Sequence, residues 1–342
     1  MNKLITFLLA TFLLLSCKSQ TETDQQATQQ VFGISGYAQG TTYSIKYVAD
    51  IEDENLYSEV DSILQRFDLS LSTYKENSII SLINRNEQTE TDELFRAMFQ
   101  CAMEVSQQTN GAFDITVAPL VNAYGFGFTN KDDIDNELID SLLQYVGYEK
   151  IVLKNNNIEK QMPEIMVDAN ALAQGLSVDV VAEFLKKKGY NNFLVEIGGE
   201  VFAQGNKPNN ETWKVGVDKP IDGSTAENRE IQAVFNLKNI ALATSGNYRK
   251  YYEENGEKFS HTINPKTGKP VSHSLLSATV FAKDCMRADA YATAFMVMGL
   301  EETKKFLTQH TEFEVYLIYA TENNNFDVYM TEGAKNLLFN EL

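Results

Sequence analysis

Residues 176–197 read LSVDVVAEFLKKKGYNNFLVEI, and this stretch predicts a helix that is followed almost at once by a strand. The helix is expected from about Leu176 to Lys188, because three consecutive lysines form a basic last turn that the helix dipole favours, and Gly189 then stops it. Residues Phe193–Ile197 have the pattern of a strand. The stretch therefore indicates a chain in which helices and strands pack together.

Further helices and strands flank this stretch without a steady strand–helix–strand rhythm. The predicted helices are one that follows Asn55, Asp92–Gln108 with Thr91 as its N-cap, Asp135–Val146, Arg287–Met298 and a short one near Thr303. The predicted strands are Thr42–Val48, Ile151–Leu153, Ile158–Val167, Trp213–Val217, Ile231–Phe235 and Leu276–Ala282, with two more near Val315 and Val328. This mixture favours an α+β fold with mostly antiparallel sheets and packed helices over a doubly wound fold. No Gly-x-Gly-x-x-Gly motif follows a predicted strand, so a Rossmann dinucleotide site is disfavoured.

The N-terminal residues, MNKLITFLLATFLLLSC, have the layout of an exported bacterial lipoprotein. Lys3 precedes an apolar run that is too short for a membrane span, which needs about 20 residues. The tetrad Leu-Leu-Ser-Cys ending at Cys17 matches a lipobox, so Cys17 is predicted to carry the lipid; a plain signal peptide or an uncleaved anchor is the alternative. We expect a signal peptide over residues 1–16, a flexible lipid-anchored tether over 17–32 and one domain over 33–342. The protein is then exported and anchored to a bacterial membrane, facing the periplasm.

The composition of the chain limits the kinds of partner and site. The net charge of −18 argues against a nucleic-acid partner, because nucleic-acid backbones are themselves negative. Hydrophobic residues make up 43% of the chain, enough for a sizeable core. Cys101 and Cys285 are expected to be buried thiols, and none of the three histidines has a partner at zinc-ligand spacing.

Four short segments carry residue types that a plain core or surface rarely uses. Gly40 precedes two hydroxyl residues, which either lets the backbone approach a ligand closely or simply starts a strand. Tyr74 either stacks on an aromatic ring or packs against the protein. Asp114, between aromatic and aliphatic residues, either serves a site or caps a turn. Asp168, at the end of a predicted strand, either caps the next helix or binds a polar ligand where free amides suit a phosphate.

The richest segments lie in the last third of the chain. His261 comes just before the turn residues 264–268, so a loop could hold it over a pocket, although a lone histidine is more often structural. Asp289 and Thr293 are four residues apart and therefore share one face of a predicted helix. Two hard oxygens on one face suit Mg²⁺, which takes few protein ligands and keeps phosphate oxygens and waters. The alternative is an acid stabilised by the helix dipole and a threonine bonded to the backbone.

Taken together and in order, these segments resemble the FAD:protein FMN transferase family, the ApbE-like flavin transferases. The resemblance extends from about Gly36 to Gly299. The matching stretches are GTTYSI, STY with a following Ser78, GAFDITVAPLVNAYGFG, DANALAQGLSVD, VEIGGEV, WKVGVDKP, ATSGNYRKYY, SHTINPKTGKPV and ADAYATA. So many ordered matches are far more specific than any one motif.

The resemblance implies a T-fold-like α+β architecture that holds FAD in a cleft. The positions that it implies for flavin contact are Gln39, Tyr74, Ala112, Phe113, Asp114, Asp168, Gln174 and Ile263. The implied Mg²⁺ ligands are Asp289, Thr293 and the backbone carbonyl of Ala171. Two positions depart from the family pattern: Gln39 stands where methionine is usual, and Gln174 where lysine or an acid is usual. The second departure removes a charge near the nucleotide and is expected to weaken or retune FAD binding.

The activity implied by the resemblance is Mg²⁺-dependent transfer of FMN from FAD to a threonine or serine hydroxyl of a client protein, with release of AMP. His261 is the expected base that takes the hydroxyl proton. The implied clients are exported or membrane-bound redox proteins of the Rnf or sodium-pumping quinone reductase type. Two alternatives stay open: a Mg²⁺-dependent FAD pyrophosphatase that gives FMN and AMP, and a flavin-binding lipoprotein without turnover.

Overall fold

The computed structural model describes residues 29–126, 134–221, 223–224, 228–247, 251–254, 257–322 and 325–341. Within them, only the backbone is described for residues 251–254, 257–260 and 341. The predicted signal peptide, the predicted lipid site Cys17 and most of the predicted tether lie outside the described residues.

The described strands and helices follow one another along the chain in an irregular alternation. The strands are β1 (Gln30–Ala38), β2 (Thr41–Ala49), β3 (Ile151–Lys154), β4 (Asn157–Lys160), β5 (Phe193–Ile197), β6 (Glu200–Gln204), β7 (Trp213–Asp218), β8 (Ile231–Leu237), β9 (Ile240–Gly246), β10 (Tyr251–Glu254), β11 (Glu257–Ser260), β12 (Leu275–Ala282), β13 (Glu314–Ala320), β14 (Phe326–Met330) and β15 (Leu338–Glu341). The helices are α1 (Leu56–Leu71), α2 (Ile79–Asn84), α3 (Glu93–Gln108), α4 (Ala118–Ala123), α5 (Asn136–Leu143), α6 (Ala173–Lys187), α7 (Cys285–Leu307) and α8 (Glu332–Leu337).

An eight-stranded sheet with the order β1-β2-β5-β6-β9-β12-β13-β14 forms the centre of the protein. Every strand pairing recorded in the described residues is antiparallel. Helices α6 and α7 pack on one face of this sheet and against each other, and α3 packs against α7. The predicted α+β fold with antiparallel sheets is confirmed.

Small residues bring α7 close to the strands beneath it. Alternate positions of its first half, Ala288, Ala290, Ala292 and Ala294, are fully buried. Because alanine keeps only a methyl group at the contact, the helix backbone can approach the sheet and the neighbouring helix closely. The sequence ADAYATA thus places the polar side chains Asp289 and Thr293 at a tightly packed junction.

The opposite face of the large sheet is covered by a three-stranded sheet with the order β15-β8-β7. The ring of Phe235 on β8 lies 4.9 Å from that of Phe281 and 5.3 Å from that of Tyr316, between ring centroids. These rings belong to a second hydrophobic core that also contains the buried Trp213. This layer therefore completes the burial of the central strands.

Most predicted helices and strands are confirmed, with four corrections. The predicted strand Ile158–Val167 ends at Lys160, which pairs with Ile151, the first residue of β3. Further along, Pro163 lacks the amide hydrogen that a ladder needs. The α3 N-cap is Asp92, not Thr91, since the Asp92 carboxylate accepts from Phe95 N at 2.8 Å.

The other two corrections concern where a predicted helix and the predicted tether end. The helix predicted to end at Met298 continues to Leu307 through a local break at Gly299, where φ is +76° and ψ is 179°. The predicted tether is too long at its C-terminal end, because β1 already pairs with β2 from Gln30. In the part of the chain that the structure describes, we find no helix that is both long and apolar enough to cross a membrane.

Candidate active site

The N-terminal turns of α6 and α7 touch at Gly175. A side chain at this position would overlap the carbonyl group of Cys285 and the Cβ of Asp289. With no side chain in the way, the Gly175 amide donates a hydrogen bond to Oδ2 of Asp289 at 3.0 Å. A glycine in the sequence thus allows a backbone donor of one helix to fix a carboxylate of the next.

The Asp289 carboxylate has one fixed oxygen and one open oxygen. Oδ2 accepts from Gly175, whereas Oδ1 makes no hydrogen bond to any described residue. Burial raises the pKa of Asp289 to about 7, and the nearby Asp179 adds to this shift. A cation beside Oδ1 would favour the charged form, so the geometry and the electrostatics both suit a metal ligand.

Two more oxygens lie on the chain around this carboxylate. The Thr293 hydroxyl, one turn further along α7, lies 3.1 Å from the hydroxyl of Ser245 on β9. The carbonyl of Ala171 accepts no hydrogen bond from a described residue, because the Gly175 amide that would complete a helical turn with it bonds to Asp289 instead. A carboxylate, a hydroxyl and an open carbonyl form a hard oxygen set that fits Mg²⁺.

No cluster of three or more His, Cys, Asp or Glu side chains occurs in the described parts of the chain. Such a cluster is what a zinc site would need. Mg²⁺ is different, because it keeps waters and phosphate oxygens and is held by one or two carboxylates. The oxygen set around Asp289 therefore fits Mg²⁺ bound together with a phosphate ligand.

The turn between β1 and β2 reaches the same end of α6. The Ser177 hydroxyl lies 3.2 Å from Oε1 of Gln39 and 2.7 Å from the carbonyl oxygen of Gln174. The side-chain amide of Gln174 packs against Gly198, where any Cβ would overlap it. Gln39 and Gln174, the two departures from the family pattern, thus meet through Ser177.

Asp168 connects the residues around the first turns of α6 and α7 with a second group of predicted residues, around the 112–116 loop. Its backbone amide donates to the carbonyl of Ile115 at 2.7 Å, which ties the 112–116 loop to the segment that leads into α6. Its carboxylate accepts from Asn170 N at 2.8 Å, and burial raises its pKa. Because α6 begins only at Ala173, Asp168 does not cap that helix, which corrects one of the two readings from the sequence.

The 112–116 loop is held by its own polar contacts. The Asp114 carboxylate accepts from Thr116 N and Tyr148 N, both at 2.8 Å, and from the Thr116 hydroxyl at 2.6 Å. Burial raises the pKa of Asp114. Phe113 belongs to the main hydrophobic core, and Ala112 is buried beside it. In this structure the side chains of Phe113 and Asp114 shape the loop, and contact with a ligand stays a prediction.

His261 lies on the loop that follows β11. Its half-buried ring stands edge-on to Phe126, with 6.2 Å between the ring centroids. Two residues later, Ile263 enters a small hydrophobic cluster with Leu120 and Tyr124 from the segment around α4. The histidine is therefore anchored to the part of the chain that continues from the 112–116 loop.

Tyr74 is 69% exposed and lies on the loop between α1 and α2. Helix α2, which follows that loop, is connected to the site through its last residue, Asn84, whose side chain forms hydrogen bonds of 2.7 and 2.9 Å with the backbone of Val167. An exposed aromatic ring at the border of the site suits the predicted role of covering a flat ligand.

The structure thus brings the predicted residues into two groups joined by residues 168–175. One group surrounds the first turns of α6 and α7 and the other surrounds the 112–116 loop; no direct contact between His261 and Asp289 is recorded. The sequence reasoning singled out neither Gly175 nor the hydroxyls of Ser177 and Ser245. Only Gly175 carried a signal, as a glycine beside Gln174 near a helix start.

Comparisons with known proteins agree on one family. The chain matches the ApbE family over residues 39–317. It is 36% identical to a Haemophilus influenzae protein named FAD:protein FMN transferase, over 94% of this chain and 95% of that protein. A Vibrio cholerae protein of the same name is 34% identical, over 89% of this chain and 92% of that protein.

Solved structures with the same architecture carry related names. Flavin transferase ApbE from Vibrio cholerae superposes with a TM-score of 0.81 at 32% identity, covering 91% of this chain and all of that one. The apo form of Pseudomonas stutzeri flavinyl transferase ApbE also gives a TM-score of 0.81, at 29% identity, covering 92% of this chain and 98% of that one.

Proposed function

This chain belongs to the ApbE family, and from that membership we propose that it is an FAD:protein FMN transferase. In detail, it moves FMN from FAD to a threonine or serine hydroxyl of a client protein, depends on Mg²⁺ and releases AMP. The observation that carries this proposal is the Asp289 carboxylate, which the Gly175 amide fixes through one oxygen while the other stays open.

Mg²⁺ bound at these oxygens would neutralise the pyrophosphate of FAD and so favour the loss of AMP. The residues that would hold it are Asp289, Thr293 and the carbonyl of Ala171. Transfer forms a bond between the client oxygen and the FMN phosphorus and breaks the bond to the bridging oxygen, which leaves with AMP. The enzyme must therefore orient FAD and take one proton from the client hydroxyl.

His261 is the residue that we propose for the proton. An imidazole can accept a proton near neutral pH, and a hydroxyl attacks poorly without such a base. The turn after His261 is fixed by its own bonds: Asn264 N donates to the Lys269 carbonyl and Gly268 N donates to the Asn264 carbonyl, both at 2.9 Å. A rigid turn holds the ring in one place, as proton transfer requires.

The remaining predicted residues would hold the flavin and nucleotide parts of FAD. Gln39 and Gln174 line the α6 end of the site, and Ala112 and Ile263 lie on its other side. Tyr74 would stack on the isoalloxazine, because its exposed ring has room to do so. Phe113, Asp114 and Asp168 would act through the loop that they build.

We place the reaction outside the cytoplasm. The lipobox at Cys17 supports export and anchoring to a membrane, facing the periplasm. The client is then an exported or membrane-bound redox protein, of the Rnf or sodium-pumping quinone reductase type that the family resemblance implies. The strongly negative chain agrees with a site that binds an anionic nucleotide through a metal rather than through a basic surface.

The deciding experiment is intact-mass analysis of a client domain incubated with the enzyme, FAD and MgCl₂. We expect the client mass to rise by one FMN moiety and AMP to appear in equal amount, and we expect EDTA to prevent both. Free FMN and AMP without any adduct would show a pyrophosphatase instead. Bound FAD without turnover would show a flavin-binding lipoprotein.

A further inference from the structure

The first turn of α7 is held by a carboxylate from another helix. Asp179, on α6, accepts hydrogen bonds from two consecutive amides of α7: Oδ1 from Cys285 N at 2.8 Å and Oδ2 from Met286 N at 2.9 Å. Both oxygens of one side chain are therefore engaged at the helix N-terminus, where backbone amides lack partners and negative charge is favoured.

The helix also carries its own N-cap. Asp284 accepts from Arg287 N at 3.0 Å, as an ordinary capping aspartate does. The amides of Cys285 and Met286 thus receive from Asp179 the partners that Asp284 does not supply. Capping alone does not explain why a second carboxylate from a neighbouring helix reaches this turn.

The position of Asp179 on α6 offers the explanation. It follows Gly175 by one helical turn, so the two residues lie on the same face of α6. Gly175 contacts α7 at Asp289, and Asp179 contacts α7 one turn earlier, at Cys285. Two points of contact fix both the rotation of α7 and its shift along α6.

We propose that Asp179 is a positioning residue for the Mg²⁺ ligands on α7, an inference that rests on the proposed function. By holding the first turn of α7, Asp179 sets where Asp289 and Thr293 point. Groups that orient a metal ligand in this way affect metal affinity, typically by 10- to 100-fold when they are replaced. Asp179 itself does not touch metal or substrate in this proposal.

The test compares Asp179→Asn with wild type and with Asp92→Asn as a matched control. The asparagine keeps the shape of Asp179 but presents an amide group to one of the two α7 amides, so one hydrogen bond is lost. Asp92 is also a carboxylate at a helix N-terminus and accepts from Phe95 N, but on α3. Calorimetric titration of MgCl₂ into the FAD-loaded protein without client measures metal affinity, and thermal melting measures stability.

For Asp179→Asn we expect the Mg²⁺ dissociation constant to rise at least tenfold, and the Mg²⁺ concentration for half-maximal transfer to rise with it. The rate at saturating Mg²⁺ should fall much less. Asp92→Asn should leave Mg²⁺ affinity as in wild type and change the melting temperature only slightly, because asparagine caps a helix about as well as aspartate. A lower melting temperature with unchanged Mg²⁺ affinity in Asp179→Asn would show a purely structural cap and overturn the proposal.

Gly175→Ala provides a second variant if Asp179→Asn does not fold. Its methyl group would push α7 away from α6 at the other contact, so the same weakening of Mg²⁺ binding is expected, and normal binding would contradict the proposal. If wild-type transfer needs no Mg²⁺ at all, the metal part of the proposed function fails. If only the Asp179→Asn shift is missing, the function stands and this inference alone fails.

Discussion

The Asp289 carboxylate links burial to the binding of a cation. Burial raises its pKa from 3.8 to about 7, so the folded protein holds this proton more tightly than the unfolded chain does. The stability that comes from the protonated form is complete below about pH 4 and is lost as the pH rises through 7. A bound cation reverses the effect, because it favours the carboxylate.

We therefore expect MgCl₂ to raise the melting temperature of the protein with FAD bound at pH 8 and to change it little at pH 5. Asp289→Asn removes the charge, so the melting temperature of this variant should respond almost not at all to Mg²⁺ at either pH. Without Mg²⁺, its melting temperature should also fall less between pH 5 and pH 8 than that of wild type. Melting curves at the two pH values, with and without MgCl₂, check this. An equal Mg²⁺ response in variant and wild type would refute the metal site.

His261 is the residue whose removal should separate binding from chemistry. We expect His261→Ala to lose transfer by 100-fold or more, in the range that general bases contribute, about 10²–10⁴-fold. FAD binding, followed by flavin fluorescence, should stay within a few-fold of wild type, because the ring contacts Phe126 at the edge of the site. Near-normal transfer would show that another group takes the proton.

The residue types of the site could be predicted from the sequence, but their contacts could not. Asp289 and Thr293 were recognisable as one face of a helix, since four residues make about one turn. The contact of Asp114 with Thr116 is the turn cap that the sequence offered as one reading. Nothing local indicated that Asp114 would also accept from Tyr148, or that Gly175 would meet Asp289. Such contacts depend on how distant segments pack, which a single sequence does not display.

At the level of helices and strands, the ends that are marked by a particular residue type were predictable. Gly189 stops α6 and Gly111 follows α3, both with positive φ, as glycine stops require. Strands β6 and β9 were not predicted, because they are buried on both faces and show no alternation of polar and apolar residues. The break in α7 was read as a helix end for a different reason: locally, Gly299 resembles the glycines that stop other helices.

That break should make Gly299, the one glycine of α7, hard to replace. Its φ of +76° with ψ of 179° is a region that only glycine adopts easily, so Gly299→Ala should cost about 1–3 kcal/mol of unfolding free energy. An added Cβ would also lie 3.0 Å from the His273 ring. Urea denaturation measures the loss.

Gly189→Ala is the matched control, because Gly189 also has positive φ but has open space where a Cβ would lie. It should cost less than Gly299→Ala, and combining Gly299→Ala with His273→Ala should cost less than the two single changes added together. Equal losses for the two glycines would show that the His273 contact contributes nothing.

For the molecule as a whole, strand β1 begins at Gln30, within the last residues of the predicted tether. A variant that starts at residue 29 retains β1 and every site residue, so it should melt within a degree or two of the processed protein and transfer FMN to a soluble client at the same rate.

Full-length Cys17→Ser should appear in the soluble periplasmic fraction and not with membranes. Fractionation and lipid labelling check this, and membrane retention of Cys17→Ser would contradict the anchor.

The pairing of β2 with β5 joins two segments that are synthesised far apart in time. Tyr43 lies opposite Ile197, and the oxygens proposed for the metal extend from Ala171 to Thr293. No fragment that stops short of Thr293 contains a complete site. A protein that is exported before it folds therefore meets its nucleotide only after export, and in that case FAD must be present on the far side of the membrane.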